Sequence, residues 1–210
     1  MPRPQIVITA RQYREILSDV WAAVNTANVP PKLFQRAGRV NRLMQTERNP
    51  RLEIVNADTM FGIIIEDADF FTVNVRGNRI AAKPTVEIAR TMVSLPDPSL
   101  PAIEGVSSTP MFSPDGEMVV SNGYNSQLGV YFYGMEKLVV PTGPRSHQQA
   151  IDAVRLLRDE VFGDFPFAKP TEFAHVLATL ILPFVRKLIH GVTPIHLFEA
   201  NGPGSGKTLL

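Results

Sequence analysis

Asn201, Gly202, Pro203, Gly204, Ser205, Gly206, Lys207 and Thr208 follow one another near the end of a 210-residue sequence. The run has the wording of a phosphate-binding loop. Glycines let the backbone close on an anion so that several N–H groups point at it, and a helix N-terminus behind the loop adds positive potential. In such a loop Lys207 reaches the β- and γ-phosphates of ATP, and the Thr208 hydroxyl ligates Mg²⁺. One position departs from the G-x-x-x-x-G-K-[ST] pattern: Asn201 stands where the first glycine belongs. Asparagine enters the left-handed region more readily than other non-glycine residues, so the loop can still close.

The motif needs a strand before it and a helix after it. Thr193 and Pro194 open an extended, apolar stretch (Ile195, Leu197, Phe198, Ala200), and Thr208 opens the helix. Leu210 stands two residues later. On this reading the Mg²⁺-binding acid and the residue that positions water have no counterpart here, and the 210 residues alone are expected to be catalytically inactive.

A second group of residues suggests an anionic partner. Net charge is only +1, but residues 1–51 hold nine Lys/Arg against three Asp/Glu, and the remainder holds 12 against 17. A basic front end suits nucleic acid or a merely solvated surface, and charge alone does not choose. Arg36, Arg39 and Arg42 are the candidate contacts. Leu33 to Arg36 and Arg39 to Leu43 flank Ala37 and Gly38, which predicts a hairpin. Whether Arg36 and Arg39 share a face depends on the turn.

Other chemistries find no support. Zero cysteines exclude disulfides and thiolate-held zinc. His147, His175, His190 and His196 lack metal-ligand spacing. The apolar run from Phe61 ends in Glu66 and Asp67, like the Mg²⁺-binding strand of P-loop ATPases. It lies upstream of the loop, against the usual order, and is read as core. The longest apolar run, Val176 to Val185, is too short to span a bilayer, which takes about 20 residues, and no signal-peptide core opens the chain. A cytoplasmic protein is the expectation.

The elements that must position these residues are short, as 18 prolines and 14 glycines suggest. Residues 1–8 are expected to be loose. Thr9 and Gln12 have the form of a capping box for a helix over residues 10–26, with Trp21 in its apolar stripe. Asn56 caps a short helix over Met60 to Ile65. A hairpin turns at Arg76, Gly77 and Asn78, and a helix from Pro84 turns Val86, Ala89, Met92 and Val93 inward, leaving Ile88 outside. The proline-rich segment 95–101 reads as a connector. Pro114, Asp115 and Gly116 close a third hairpin, and residues 122–125 form a turn before Leu128. Ser146 and Gln149 cap an amphipathic helix (Ile151, Val154, Leu157, Val161). Thr171 opens a helix apolar on most sides, expected to be buried and kinked or split at Pro183.

Several of these stretches, taken in order, look familiar: Asn28-Val29-Pro30-Pro31-Lys32-Leu33-Phe34-Gln35-Arg36-Ala37-Gly38-Arg39, Leu95-Pro96, Ile103-Glu104-Gly105-Val106, Thr109-Pro110, Ser113-Pro114-Asp115-Gly116, Asn122-Gly123-Tyr124-Asn125, Phe165-Pro166-Phe167 and the phosphate loop. The order resembles the region leading into the ATPase domain of phage- and mobile-element primase–helicase proteins. That resemblance implies an ATP- and Mg²⁺-dependent motor acting on nucleic acid, DNA above all, in which Gly204, Gly206, Lys207 and Thr208 bind nucleotide. It also implies a homo-oligomer of the full-length parent.

The expected fold class is α+β. A basic accessory region of helices and hairpins spans residues 1–94, and a proline-rich connector with hairpins spans 95–145. Residues 146–210 form a helical lead-in to the first strand and P-loop of an incomplete α/β ATPase domain. Two functions stay open: the front portion of a nucleic-acid-dependent ATPase, or a non-catalytic module that binds nucleic acid or a partner and carries an inert P-loop remnant.

Overall fold

The computed structural model describes residues 2–46, 49–137, 139, 143–144, 146–167, 169–197 and 199. They form a mixed α+β structure of short helices and small sheets. Two compact units are distinguished: Met1–Ser108 with Asn122–Tyr133, and Thr109–Ser121 with Gly134–Leu210.

The first unit is built around three helices. In α1 (Tyr13–Ala27), Ile16, Val20, Trp21, Ala23 and Val24 recur at helical spacing and are buried. In α2 (Ala57–Asp67), Met60 and Ile64 are buried, and the Asn56 side chain accepts from the Thr59 N–H at 2.8 Å. That cap satisfies one of the free amides of the first turn. In α3 (Val86–Ser94) the buried residues are Ile88, Ala89 and Met92. Val86 is exposed instead. Ala89 and Met92 face inward as the sequence suggests and Val93 packs half-buried against the same core, so the difference is confined to Ile88, which takes the inward place expected of Val86. Each buried valine, isoleucine or methionine of these helices stabilises the fold by about 1.5–3 kcal/mol.

The same core holds Ile6 and Phe70, which lie side by side where β1 (Gln5–Val7) pairs in parallel with β5 (Asp69–Val73). Residues 4–8, expected to be loose, are thus tied to the sheet. Three residues of strand are too few to show alternation, and the partner strand lies more than 60 positions away. Thr9 does not cap α1. Its hydroxyl accepts from the Val73 N–H at 2.9 Å, extending the β1–β5 contact, and Ala10 turns the chain at φ 56°. The N-cap of α1 is Gln12, without a side-chain hydrogen bond. β6 (Arg79–Ala81) completes the order β1–β5–β6 as an exposed edge.

A second sheet joins β2 (Leu33–Arg36), β3 (Arg39–Met44) and β4 (Arg51–Ile54) in antiparallel order. The proline-rich segment folds back onto it. Leu100 is buried in the common core, the Gln35 N–H donates to the Pro101 carbonyl, and the Ile103 N–H donates to the Gln35 carbonyl, both at 2.9 Å. In the third sheet β11 (Val130–Phe132) lies between β10 (Gly123–Asn125) and β7 (Gly105–Ser107). Residues 123–125, expected as a turn, are a strand, and the chain reverses after them.

In the second unit β8 (Met111–Phe112) and β9 (Met118–Val119) form a hairpin closed at Gly116, φ 85°. The Ser146 hydroxyl accepts from the Gln149 N–H, and the Gln149 side chain accepts from the Ser146 N–H, so the predicted capping box starts α4 (His147–Leu156). A π-helical turn, Leu157–Val161, follows. α5 (Pro170–Val185) buries only Phe173 and Val176, so its apolar surface is not enclosed as expected. Pro183 falls inside its last turn, the helix runs on to Val185, and a 3₁₀ turn, Arg186–Leu188, continues the chain, so the helix is not split at the proline. Phe162, Phe167 and Phe173 meet edge-on, with Arg158 over the Phe173 ring at 4.8 Å. Among the described residues no helix is long and apolar enough to cross a membrane.

Candidate functional site

The phosphate loop, Asn201, Gly202, Pro203, Gly204, Ser205, Gly206, Lys207 and Thr208, lies outside the described residues. So do Phe198 and Ala200 of the strand expected to lead into it. Of the described part, Ile195 is 96% and Leu197 79% exposed, and they belong to no strand.

The three candidate arginines lie on the β2–β3 hairpin, whose position starts at the end of α1. Asn28 closes that helix, and its carboxamide accepts from the N–H groups of Lys32 and Leu33 at 2.7 and 2.9 Å. It also donates to the Leu33 carbonyl at 2.8 Å. The hairpin therefore leaves the helix at a fixed angle. Its two-residue turn has Ala37 at φ 48° and Gly38 at φ 72°. Positive φ at both central residues matches the right-handed twist of the flanking strands.

Register then sorts the arginines. Leu33 is opposite Arg42, Phe34 opposite Asn41, Gln35 opposite Val40 and Arg36 opposite Arg39. Because side chains alternate and cross-strand partners share a face, Leu33, Val40 and Arg42 lie on one side. Phe34, Arg36, Arg39 and Asn41 lie on the other. The first side meets the helical core, which includes Leu33 and Val40. On the second, Phe34 is fully buried, its ring 5.0 Å from that of Tyr124. The Tyr124 hydroxyl donates to the Ala102 carbonyl at 2.6 Å, and burial pushes its pKa above the usual tyrosine value. The hairpin is thus gripped on both faces near its base while its tip stays exposed.

Arg36 and Arg39 come together and Arg42 does not join them. Arg42 faces Glu53 on β4 and donates to its carboxylate through Nε at 3.1 Å and Nη2 at 2.9 Å. Arg36 and Arg39 are exposed and form no ion pair among the described residues. Arg51 lies opposite Met44, at the far end of β3 from the tip, and Arg48 is outside the described residues. Sequence reasoning missed Glu53 as the residue that occupies Arg42. The signal was present, since Arg51, Leu52, Glu53 and Ile54 alternate polar and apolar as a strand should.

Two other arginines near the front are also taken. Arg11 donates to Asp19 at 2.6 Å, which raises its pKa further, and Arg3 lies 3.8 Å from Asp69. Among the described residues no three His, Asp or Glu side chains cluster as metal ligands. Comparison with protein-family models, curated proteins and solved structures returns no match.

Proposed function

We propose that the chain is the region leading into, and including, the nucleotide-binding loop of a nucleic-acid-dependent ATPase of helicase or primase–helicase type. It works in the cytoplasm on DNA, as a homo-oligomer. The observation that carries this reading is the order of residues 201–208 behind an apolar stretch. Lys207 supplies the ammonium for the β- and γ-phosphates, Thr208 the hydroxyl for Mg²⁺, and Gly204 and Gly206 the backbone freedom to wrap the phosphates. Arg36 and Arg39 support the nucleic-acid half, being exposed on one face and without an ion pair among the described residues.

A second reading, a non-catalytic module that binds nucleic acid, draws on the same arginine pair, because that contact needs no ATP. Binding of a fluorescent ATP analogue with Mg²⁺ separates the two. We expect saturable binding that Lys207→Ala abolishes and Thr208→Ala makes indifferent to Mg²⁺. Equal binding by Lys207→Ala would leave the module reading standing alone.

A further inference from the structure

We propose that the tip of the β2–β3 hairpin is a two-arginine clamp for the phosphodiester backbone of nucleic acid. Arg36 and Arg39 are its contacts, and Arg42 is a structural residue outside it. The clamp rests on the nucleic-acid half of the function proposed above and names the residues and the chemical group recognised.

Three observations converge on it. The first is the charge arrangement. Arg36 and Arg39 are direct cross-strand partners. Like charges placed so are destabilising, and folds usually avoid or neutralise them. The sheet supplies no neutralising partner: β4 ends at Ile54, opposite Asn41, and its Glu53 lies on the other face, where it is used by Arg42. The repulsion at the tip is therefore left for an external anion to relieve.

The second is the turn between them. Ala37 holds a left-handed conformation that suits Asn, Asp or Gly better than alanine. With Gly38 beside it, the crest of the hairpin carries no side chain beyond one methyl group, so a strand of nucleic acid laid across it meets backbone and two guanidinium groups.

The third is spacing. The Leu43 N–H donates to the Lys32 carbonyl at 2.7 Å, and counting in twos along the ladder makes Arg36 and Arg39 a hydrogen-bonded pair. Their Cα atoms then stand about 5.5 Å apart. From there two long side chains can fork onto neighbouring phosphates, each guanidinium offering paired N–H donors to one phosphate. Contacts of this kind read no base, so binding is largely independent of sequence.

The test is fluorescence anisotropy of the whole chain, without nucleotide, on labelled single-stranded and duplex oligonucleotides at several salt concentrations. Each lost phosphate contact flattens log K against log[salt] by about 0.9 on duplex or about 0.7 on single strands. We expect that flattening for Arg36→Gln and for Arg39→Gln, and roughly twice as much for the double variant. Arg42→Gln should leave the slope unchanged. The double variant should keep or raise its thermal midpoint, because the repulsion is gone, which separates lost contact from lost fold. Lysines at both positions should restore the slope with weaker binding. An unchanged slope in the folded double variant overturns the clamp while leaving nucleic-acid binding intact. No oligonucleotide binding by the unaltered chain overturns the clamp together with the nucleic-acid half of the function. Poly-glutamate competing as well as DNA, charge for charge, would also overturn it, marking a general anion surface.

Discussion

The Asn28 side chain spans the turn to Leu33 and satisfies both of its backbone groups, accepting from the N–H at 2.9 Å and donating to the carbonyl at 2.8 Å. A third bond, from the Lys32 N–H at 2.7 Å, completes the arrangement. One carboxamide therefore ties the end of α1 to the first strand of the hairpin that carries Arg36 and Arg39. A net contribution of about 1 kcal/mol per hydrogen bond predicts that Asn28→Ala lowers unfolding free energy by about 2–3 kcal/mol. Asn28→Asp keeps both acceptor interactions and loses the donor, so its loss should be smaller. Urea denaturation of the three proteins measures the difference. A loss for Asn28→Ala within about 0.5 kcal/mol, the scatter of ordinary surface substitutions, would mean that the hairpin is placed by packing alone.

What was legible in the sequence is what neighbouring residues decide. The Ala37–Gly38 turn, the Asn56 cap and the Ser146–Gln149 capping box each rest on residues at most four positions apart, and each stands where the sequence places it. Trp21 is core for the same kind of reason, being in phase with Ile16, Val20 and Val24. Distant pairing was not legible. Thr9 has the form of a cap, yet its hydroxyl serves Val73, and only the parallel pairing of β1 with β5 decides that. Arg42 could not be separated from Arg36 and Arg39 before β4 was known, because its partner Glu53 belongs to that strand. Segment 95–101 shows the same limit: its prolines suggest a connector, but Leu100 is buried with the helices.

Asp67 ends α2 half-buried. Burial raises its pKa above the ordinary 3.8, the neighbouring Glu66 raises it further, and Arg3 partly offsets both. A carboxyl with a higher pKa in the folded state than in the unfolded state favours folding when protonated. Its contribution is fully present below about 3.8 and is lost as pH rises through the folded value. Asp67→Asn keeps a neutral group at every pH, so it should raise the thermal midpoint at pH 7. The advantage over the unaltered protein should shrink as pH falls toward the ordinary carboxyl value. Midpoints measured from pH 7 down to about pH 4 test this. A midpoint difference that does not change with pH would mean that Asp67 makes no titrating contribution in this range.

The Ser146 capping box gives the last prediction, and its interest lies in where the effect appears. Removing a serine N-cap costs about 1 kcal/mol of helix stability. Here the capped helix, α4, has no buried residue, so little packing ties its melting to the rest of the chain. In the first unit, by contrast, α1, α2 and α3 share one buried cluster with Ile6, Phe70 and Leu100. Ser146→Ala should therefore accelerate amide exchange at Gln149 and along the first turns of α4, by roughly fivefold for 1 kcal/mol at 25 °C. Amides in the α1–α3 cluster should be unaffected. Hydrogen exchange followed by NMR resolves both sets in one sample. If the α1–α3 amides accelerate by the same factor, α4 unfolds together with that cluster, and its exposed stripe is not free to fray on its own.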